Sequence, residues 1–386
     1  MSLNQPRPIR IGVIGAGIIA QSIHIPTLYR AGFEIVQVCD LSPARADEVS
    51  KRYRIEGTTV PEDVINSPDI DAILIATPGS HAELTFAALA AGKHVLAEKP
   101  LALTLGEVNQ IEAAAIAAER VIQVGYMKMY DPLTERVRAE VAALEGVRLV
   151  RVTVSHPDDL PQIQHLRMVP PTRDADSARI EQAVAYEDAQ SRIAIPGASA
   201  NLMKYYRDVL NGSVVHELSM LRAVGLTAPT SWNAEAFPTI DEPGSASLLA
   251  TGAVGDARFI LSWNWLPDYP EYDEELKILA ANGRLEYHLA KPYLLEERSR
   301  LRVERHEGTE RQDTTYLQTP DTGFLRQLDA FASSINDGAP VIANLAGVRE
   351  DIVSLQGLAK AIARSNGQHI VTEADQLLAG TAMRPA

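Results

Sequence analysis

The sequence predicts an α/β fold with two domains: an N-terminal doubly wound Rossmann domain, residues 1–127, and a C-terminal α+β domain with an open, mainly antiparallel sheet, residues 128–386. The chain has 386 residues, which is too many for a single hydrophobic core, since a domain has roughly 150 residues. Its first third alternates short β-branched apolar runs with helical segments. Beyond Gly125 single apolar residues alternate with polar ones, as in half-buried antiparallel strands.

The composition is that of a protein with packed cores and no general attraction to polyanions. Hydrophobic residues make up 46% and charged residues 22% of the chain, which argues against disorder. The formal charge of -14 argues against nucleic acid or an anionic membrane as a partner. Cys39 is the only cysteine, which excludes an intramolecular disulfide, and no stretch is typical of a signal peptide or membrane helix. We therefore expect a cytoplasmic protein.

The first elements form a strand, a glycine-rich turn, a helix and a second strand. The strand is predicted over 9–14, and residues 15–20, GAGIIA, follow it as a G-x-G-x-x-A motif. A helix is predicted over 20–31 and a second strand over 33–39, which ends in Asp40. This order of elements is the one that opens a dinucleotide-binding fold.

Each small residue of the motif has a physical role in binding a dinucleotide. Gly15 permits the tight turn, Gly17 lets the backbone approach a pyrophosphate, and Ala20 allows close helix packing. Asp40 follows at the distance where an acid accepts hydrogen bonds from ribose hydroxyls, which favours NAD over NADP. The alternative is that the small residues only pack a helix onto a sheet. The cofactor-binding residues predicted here are Gly15, Gly17, Ile18, Ile19 and Asp40.

The rest of the N-terminal domain continues the alternation. The predicted elements are a strand over 71–77, a helix over 82–91, a strand over 93–97, a helix over 105–120 and a strand over 121–124. The strands are uninterrupted apolar runs, as expected where helices cover both faces of a parallel sheet. Such a sheet places its ligand crevice at the carboxyl ends of the strands.

The C-terminal domain is predicted to combine short strands with flanking helices. Strands are predicted over 147–155, 253–265, 276–279, 284–289 and 300–305, and helices over 132–144, 211–224, 323–336 and 347–365. Residues 157–200 are polar and leave the sheet as an excursion in which 175–190 could form a helix. We expect this excursion to form a lid or wall over a hydroxylated ligand.

Several motifs resemble the glucose-fructose oxidoreductase and inositol dehydrogenase family (Gfo/Idh/MocA). They are, in chain order, GVIGAGIIA, ATPGSHAEL, HVLAEKPLA, VGYMKMYDP, VVHELSMLR and ANLAGVREDIVSLQGLAKAIARS. The resemblance implies a nucleotide-binding domain followed by a domain whose open sheet often serves for oligomerisation. It also implies hydride transfer between a nicotinamide cofactor and a secondary alcohol or ketone of a sugar, cyclitol or related compound. On the same resemblance, Thr77, Pro78, His81, Glu98 and Lys99 are expected to contact the cofactor.

Lys99 and His216 are the candidate catalytic residues. Removing a hydroxyl proton during hydride transfer requires a base near the nicotinamide, and Lys99 follows directly on a strand's carboxyl end. His216 matches the family's histidine at the start of a helix. Many relatives carry an aspartate that orients this histidine at the position of Gly212, and inositol dehydrogenases carry another at the position of Ser219, so the Lys-Asp-His set is incomplete here. Asp208 or Asn211 could substitute, although neither is at the family position. The alternatives are a surface lysine and a structural histidine.

Tyr126, Lys128, Tyr130 and His156 are the candidate substrate-binding residues. The first three lie in the segment that lines the sugar site in the family, although aromatic residues at a domain junction are also ordinary packing. His156 ends a predicted strand. No metal site is expected, because the histidines lie in separate loops without ligand spacing.

The sequence leaves three functions open. The first is an NAD-dependent dehydrogenase or reductase that acts on a sugar or cyclitol. The second is a glycoside-cleaving enzyme in which bound NAD oxidises the sugar transiently, and the third is a non-catalytic sugar-pathway regulator. We also expect a homo-oligomer, a dimer or tetramer, in which a second subunit covers the apolar face of the C-terminal sheet. The residues expected on that face are Val150, Val152, Val154, Phe259, Leu261 and Trp263.

Overall fold

The computed structural model describes residues 7–170, 172–240, 246–318 and 320–382. The N-terminal part contains a six-stranded parallel sheet in the order β3-β2-β1-β4-β5-β6, which confirms the predicted doubly wound topology. Its strands are β1 (Arg10–Ile14), β2 (Glu34–Cys39), β3 (Glu56–Thr58), β4 (Ala72–Ile75), β5 (His94–Ala97) and β6 (Ile122–Val124). Strands β1, β4 and β5 are almost wholly buried because helices cover both faces.

Five α-helices connect these strands. They are α1 (Ile25–Arg30), α2 (Pro43–Tyr53), α3 (Pro61–Asn66), α4 (Ala82–Ala90) and α5 (Leu105–Ala118). A π-helical turn, Ala20–His24, runs directly into α1, and Pro26, which has no N–H to donate to the preceding turn, lies at this junction. The sequence analysis assigned no element between 41 and 70, where the structure has α2, β3 and α3.

The C-terminal part contains an eight-stranded sheet in the order β14-β13-β12-β11-β7-β10-β9-β8. Only β7 and β10 pair in parallel, so the predicted mainly antiparallel sheet is confirmed. The predicted strand 253–265 is instead two paired strands, β9 and β10, because the chain turns at Gly255 with φ 55°. The strands are β7 (Leu149–His156), β8 (Asn233–Phe237), β9 (Ser247–Val254), β10 (Ala257–Trp265), β11 (Asp273–Ala280), β12 (Gly283–His288), β13 (Arg300–Glu307) and β14 (Glu310–Leu317).

Eight α-helices accompany this sheet. They are α6 (Thr134–Ala142), α7 (Asp159–Ile163), α8 (Ser177–Ala194), α9 (Ala200–Tyr205), α10 (Val215–Ala223), α11 (Gly323–Asp337), α12 (Leu345–Ser365) and α13 (Glu373–Ala382). A π-helical segment, Tyr206–Val214, joins α9 directly to α10. None of the helices in the described part of the chain is both long and apolar enough to cross a membrane.

The apolar face of the C-terminal sheet is covered by the chain itself. Val150, Val152 and Val154 on β7 are 0% exposed, and Phe259, Leu261 and Trp263 on β10 are at most 3% exposed. They share one core with residues of α10 and α12. The expectation that a second subunit covers these six side chains was therefore wrong, because the C-terminal helices already bury them. The opposite face is polar and carries ion pairs such as Lys277–Glu286 at 2.5 Å.

The excursion, residues 157–200, crosses from the C-terminal sheet to the N-terminal domain. The Val169 N–H donates to Gln21 Oε1 at 2.7 Å, and Asp176 N–H donates to the Leu41 carbonyl at 3.1 Å. Helix α8 then lies against the N-terminal domain, where the Glu187 side chain accepts a hydrogen bond from Ser80 N–H at 2.7 Å. The excursion thus lies along the carboxyl-end edge of the parallel sheet.

Candidate active site

A cleft of about 870 Å³ runs between the two domains at the carboxyl ends of the parallel strands. The N-terminal domain supplies the glycine turn after β1 and the loops after β4 and β5. The C-terminal domain supplies the π-helical segment, the first turn of α10 and the excursion. Among the residues that line the cleft are Gly17, Ile18, Ile19, Thr77, Pro78, Glu98, Lys99, Gly212 and His216.

The glycine turn has the shape that a dinucleotide requires. Gly15 has φ +97°, and a Cβ there would lie 2.5 Å from the Ala76 carbonyl oxygen, so only glycine fits. A Cβ on Gly17 would meet nothing within 4 Å, because this residue faces the open cleft. A pyrophosphate can therefore approach the backbone at Gly17, next to Ile18 and Ile19.

Asp40 closes the end of β2 against the glycine turn. Its Oδ2 accepts a hydrogen bond from Ala16 N–H at 3.1 Å, and its Oδ1 accepts one from Ser42 N–H at 2.9 Å. Arg45, which the sequence analysis did not single out, lines the cleft with its Nη1 3.4 Å from Asp40 Oδ2. Asp40 itself is buried and is not among the residues that line the cleft, so in this structure its carboxylate holds the glycine turn and the start of α2, and Arg45 is the neighbour that reaches the cleft.

Glu98 anchors the loop that carries Lys99. Its Oε1 lies 2.7 Å from His24 Nε2, and its Oε2 accepts the Lys99 N–H at 3.1 Å. Burial alone would raise the pKa of Glu98, but the hydrogen bond and charge from His24 hold that pKa below its usual range. Glu98 is therefore a carboxylate that fixes the backbone at Lys99.

The Lys99 side chain points across the cleft to the other domain. Its Nζ donates to the Gly212 carbonyl oxygen at 2.5 Å. Gly212 is the position at which the family pattern has an aspartate, so a backbone carbonyl here meets the lysine. Burial lowers the pKa of Lys99, since the ammonium form is poorly solvated in the cleft. A lysine whose pKa is lowered is a better general base than an ordinary surface lysine.

His216 lines the cleft without a carboxylate partner. Its Nδ1 is buried with no hydrogen-bond partner within the described ranges. Burial, with the nearby positive charge of Lys99, lowers the pKa of His216 well below its usual value, so the imidazole is neutral. Asp208 and Asn211, which lie near the position of the missing aspartate, make other contacts: Asp208 pairs with Lys204, and the Asn211 side chain donates to the Tyr206 carbonyl at 2.8 Å.

The loop after β4 brings Thr77 and Pro78 to the cleft but not His81. His81 is 1% exposed and lies behind the wall of the cleft. Its Nδ1 is 2.7 Å from the Pro100 carbonyl oxygen and its Nε2 is 3.0 Å from the Thr77 carbonyl oxygen. The structure therefore assigns His81 a role in joining two loops of the cleft wall, in place of the expected cofactor contact.

A smaller cavity of about 120 Å³ continues from the cleft past Lys99 and His216. Lys128 and His156, two of the predicted substrate-binding residues, line it. The Lys128 ammonium is, however, held at 3.0 Å from Glu217 and 2.6 Å from Glu274. Lys128 thus neutralises buried carboxylates and is not a free donor for substrate.

The two tyrosines of the predicted substrate set lie in the protein core. Tyr126 is 1% exposed, with the Arg222 guanidinium 5.8 Å from its ring centre. Tyr130 is buried, and its hydroxyl accepts the Ala343 N–H at 3.2 Å. Neither lines either cavity, so the expectation of substrate contacts is wrong for both, and domain-junction packing explains them.

Other cleft residues come from segments that sequence reasoning did not single out. Tyr293, in the loop after β12, donates its hydroxyl to Asp159 Oδ1 at 3.2 Å, and this pair closes the cleft on the C-terminal side. Phe324 at the start of α11 packs edge-on against His24, with ring centres 6.0 Å apart. No local motif marks such residues, because tertiary packing alone brings them together. In the described part of the chain, no group of three or more His, Cys, Asp or Glu side chains is arranged to hold a metal.

Comparisons with known proteins agree with this geometry. Residues 9–126 match the family described as an oxidoreductase family with an NAD-binding Rossmann fold (GFO_IDH_MocA). Inositol 2-dehydrogenase 3 of Saccharopolyspora erythraea is 38% identical over 165 residues, 42% of this chain and 48% of that protein. Inositol 2-dehydrogenase of Acidothermus cellulolyticus is 37% identical over 141 residues, 35% of this chain and 41% of that protein. The matched stretches thus cover less than half of either relative.

A solved structure extends the likeness of the fold to both domains. The 3-ketoreductase of Actinomadura kijaniata in complex with NADP superimposes with a TM-score of 0.65 at 17% identity, over 94% of this chain and 98% of that one. At this identity the likeness concerns the fold alone. The match to residues 9–126 and the shape of the glycine turn thus make the N-terminal part of the chain similar to the Gfo/Idh/MocA family of oxidoreductases with an NAD-binding Rossmann fold.

Proposed function

We propose that the protein is a nicotinamide-dependent dehydrogenase or reductase that transfers a hydride between NAD(H) and a secondary alcohol or ketone of a sugar, cyclitol or related polyhydroxy compound. The observation that carries this proposal is the position of Lys99. Its ammonium group lies in the cleft shared with the glycine turn and donates to the Gly212 carbonyl. The N-terminal relatives support the same chemistry, since both are named inositol 2-dehydrogenases.

In the oxidation direction, Lys99 acts as the base. When bound, the nicotinamide accepts the hydride from the carbinol carbon. The hydroxyl proton passes to the Lys99 Nζ, and the C–O single bond becomes a carbonyl as the C–H pair leaves with the hydride. Gly212 orients the amine through its carbonyl, and Glu98 fixes the lysine's backbone. In the reduction direction Lys99 returns the proton to the alkoxide oxygen.

The smaller cavity favours a hydroxyl-rich substrate. Lys99, His156, His216, Tyr272 and Glu274 bring polar atoms to its wall. Such a lining suits a compound with several hydroxyl groups, because each can be both donor and acceptor. The neutral His216 suits hydrogen bonding to substrate better than proton storage, since its pKa is lowered by burial.

NAD is the proposed cofactor, with NADP less favoured. What supports this choice is Asp40 at the end of the second strand, hydrogen-bonded to the glycine turn and to Ser42, because an acid at this position binds ribose hydroxyls in a dinucleotide fold and repels a 2′-phosphate. The neighbouring Arg45 is paired with Asp40 at 3.4 Å, so its charge is already balanced.

Turnover assays with a panel of cyclitols and sugars test the proposal. Purified full-length protein should reduce NAD with at least one of them, detected as reduced-nicotinamide absorbance. Product formation with no net reduction would favour the glycoside-cleaving alternative. Cofactor binding with no turnover on any member would favour the regulator.

We also propose a cytoplasmic homo-oligomer joined through the outer face of the eight-stranded sheet. The chain leaves this face uncovered, and it bears half-buried charged side chains such as Arg151, Lys277 and Glu286. The cytoplasmic setting is supported by Cys39, which is free and buried, and burial raises the pKa of its thiol to about 12. Such a thiol does not need an oxidising compartment.

A further inference from the structure

Asp174 lies in the excursion but is bound to the other domain, at the start of helix α2. Its Oδ1 accepts a hydrogen bond from the Ser42 hydroxyl at 2.6 Å, and its Oδ2 accepts one from Ala44 N–H at 3.0 Å. Hydrogen bonds from Ser42 and Thr172, together with that from Ala44, hold the pKa of Asp174 well below its usual range, at about 2. Asp174 is thus a permanent anion at the positive end of α2.

Asp40 lies beside Ser42 at the same helix start. Ser42 N–H donates to Asp40 Oδ1 at 2.9 Å, while the Ser42 hydroxyl donates to Asp174. Ser42 Oγ in turn accepts the Arg45 N–H at 3.1 Å, as the N-cap of α2. The carboxylates of Asp40 and Asp174, which come from different domains, therefore flank Ser42. The Arg45 guanidinium is paired with Asp40.

These donors are the ones that a 2′-phosphate would need. In a dinucleotide fold, the adenosine ribose lies by the acid at the end of the second strand, and a nearby arginine accommodates a 2′-phosphate. Hydroxyl and backbone N–H groups at a helix start complete such an anion site. Here the site is preformed at Ser42 and Ala44, but Asp174 already fills it.

We propose that Asp174 is a specificity-determining residue that rejects the 2′-phosphate of NADP(H) by occupying its donors and adding a like charge beside Asp40. This inference rests on the proposed use of a nicotinamide dinucleotide in the cleft. It assigns to the excursion, a segment outside the Rossmann domain, part of the choice of cofactor. Asp174 is expected to oppose only the phosphate, whereas Asp40 occupies the sequence position of the acid that binds ribose hydroxyls in this fold.

Fluorescence titration with NADH and NADPH tests this role without requiring a substrate. The variant Asp174→Asn keeps the size of the side chain and removes its charge. We expect it to bind NADPH at least about tenfold more tightly than the unmodified protein, because a like charge within a few ångströms is lost. The affinity for NADH should change less than about threefold. Adding Arg45→Met to Asp174→Asn should abolish the gain, since the guanidinium is then absent.

A matched control is Asp176→Asn, which removes a charge from the same segment. Asp176 caps helix α8 by accepting from Ala178 and Arg179 N–H groups, a role that asparagine can fill, and does not contact Ser42. The NADH-to-NADPH affinity ratio should stay unchanged in this control. An unchanged ratio in Asp174→Asn, or equal weakening of both cofactors, would overturn the inference and leave Asp174 an anchor of the excursion. Failure of the unmodified protein to bind either cofactor would instead overturn the proposed function, and this inference with it.

Discussion

The Lys99 ammonium group meets a backbone carbonyl where the family pattern has a carboxylate. The carbonyl oxygen of Gly212 accepts a hydrogen bond from Lys99 Nζ at 2.5 Å but carries no net charge. It therefore orients the amine without strongly favouring the ammonium form, and burial lowers the pKa of Lys99. The departure at Gly212 is thus compatible with a lysine base, and it leaves His216 without an orienting acid.

Lys99→Met should lower kcat by roughly 10²-fold or more, because the base is lost while the aliphatic stem is kept. The NADH dissociation constant should change little. Lys360→Met, at an exposed lysine of α12 that pairs with Asp375, is the control and should leave kcat unchanged. Steady-state kinetics and NADH titration of both variants provide the check. Near-normal kcat for Lys99→Met would refute its assignment as the base.

His216→Ala should have a smaller effect, about tenfold on kcat, since a neutral imidazole without a carboxylate partner serves as a hydrogen-bonding group. The loss of kcat in His216→Ala should be compared with the loss of kcat in Lys99→Met, with both variants measured under the same conditions. A loss at His216 that exceeds the loss at Lys99 would mean that the histidine carries the proton.

The buried cluster of Lys128, Glu217 and Glu274 should make stability depend on pH. Burial raises the pKa of Glu217 from 4.5 to about 7, outweighing the attraction of Lys128. A carboxyl whose folded-state pKa is raised stabilises the fold at low pH, and this contribution is lost as the pH rises from 4.5 to 7. Urea unfolding of Glu217→Gln should therefore show a weaker decline of unfolding free energy over this range than the unmodified protein.

Glu286→Gln is a control in which the pH dependence of stability should change in the opposite sense. The hydrogen bond from Lys277 lowers the pKa of Glu286, so the stability that the ionised Glu286 contributes is lost as the pH falls. Lys128→Met should be much more harmful than Glu217→Gln, costing about 3–5 kcal/mol, since it leaves buried carboxylates without a cation. An identical pH dependence for Glu217→Gln and the unmodified protein would contradict this view of the cluster.

Among the strands, local patterns revealed the buried parallel ones but missed exposed or polar ones such as β3 and β14. Strands such as Ala72–Ile75 are continuous apolar runs, a pattern typical of a parallel sheet whose two faces are both covered by helices. Strand Glu310–Leu317 is mostly exposed and polar, so it has no apolar alternation to detect, and it forms only by pairing with β13. Likewise, Lys128 looked like a free sugar donor because nothing in the sequence shows that Glu274 folds against it.

The excursion should affect cofactor binding as well as substrate binding. The sequence analysis favoured a lid over the substrate, yet Val169 and Asp174 contact the domain that holds the dinucleotide motif. Replacing residues 160–175 with a short Gly/Ser linker should raise KM and also weaken NADH binding by about tenfold, because several ordered hydrogen bonds are lost. Kinetics and NADH titration give the test. Unchanged values of both would show that the excursion is no part of the site.

In the proposed homo-oligomer, the subunits contact each other through the outer face of the eight-stranded sheet. Its ion pairs, such as Lys277–Glu286 and Arg302–Asp313, lie on the face that the chain's own helices do not cover. Light scattering should show at least a dimer at micromolar concentration. The association should weaken at high salt, because partly exposed charges are screened. A monomer at low and high salt would rule the assembly out.

Hydride transfer from a carbinol carbon in the interdomain cleft can be followed with an isotope label. A cyclitol or sugar that is turned over, deuterated at the reacting carbon, is incubated with the protein and NAD, and the reduced cofactor is examined by mass spectrometry. We expect the label to move to the reduced nicotinamide, and Lys99→Met to slow the transfer by roughly 10²-fold. Product that forms while the label goes to solvent, with no labelled reduced cofactor, would contradict it.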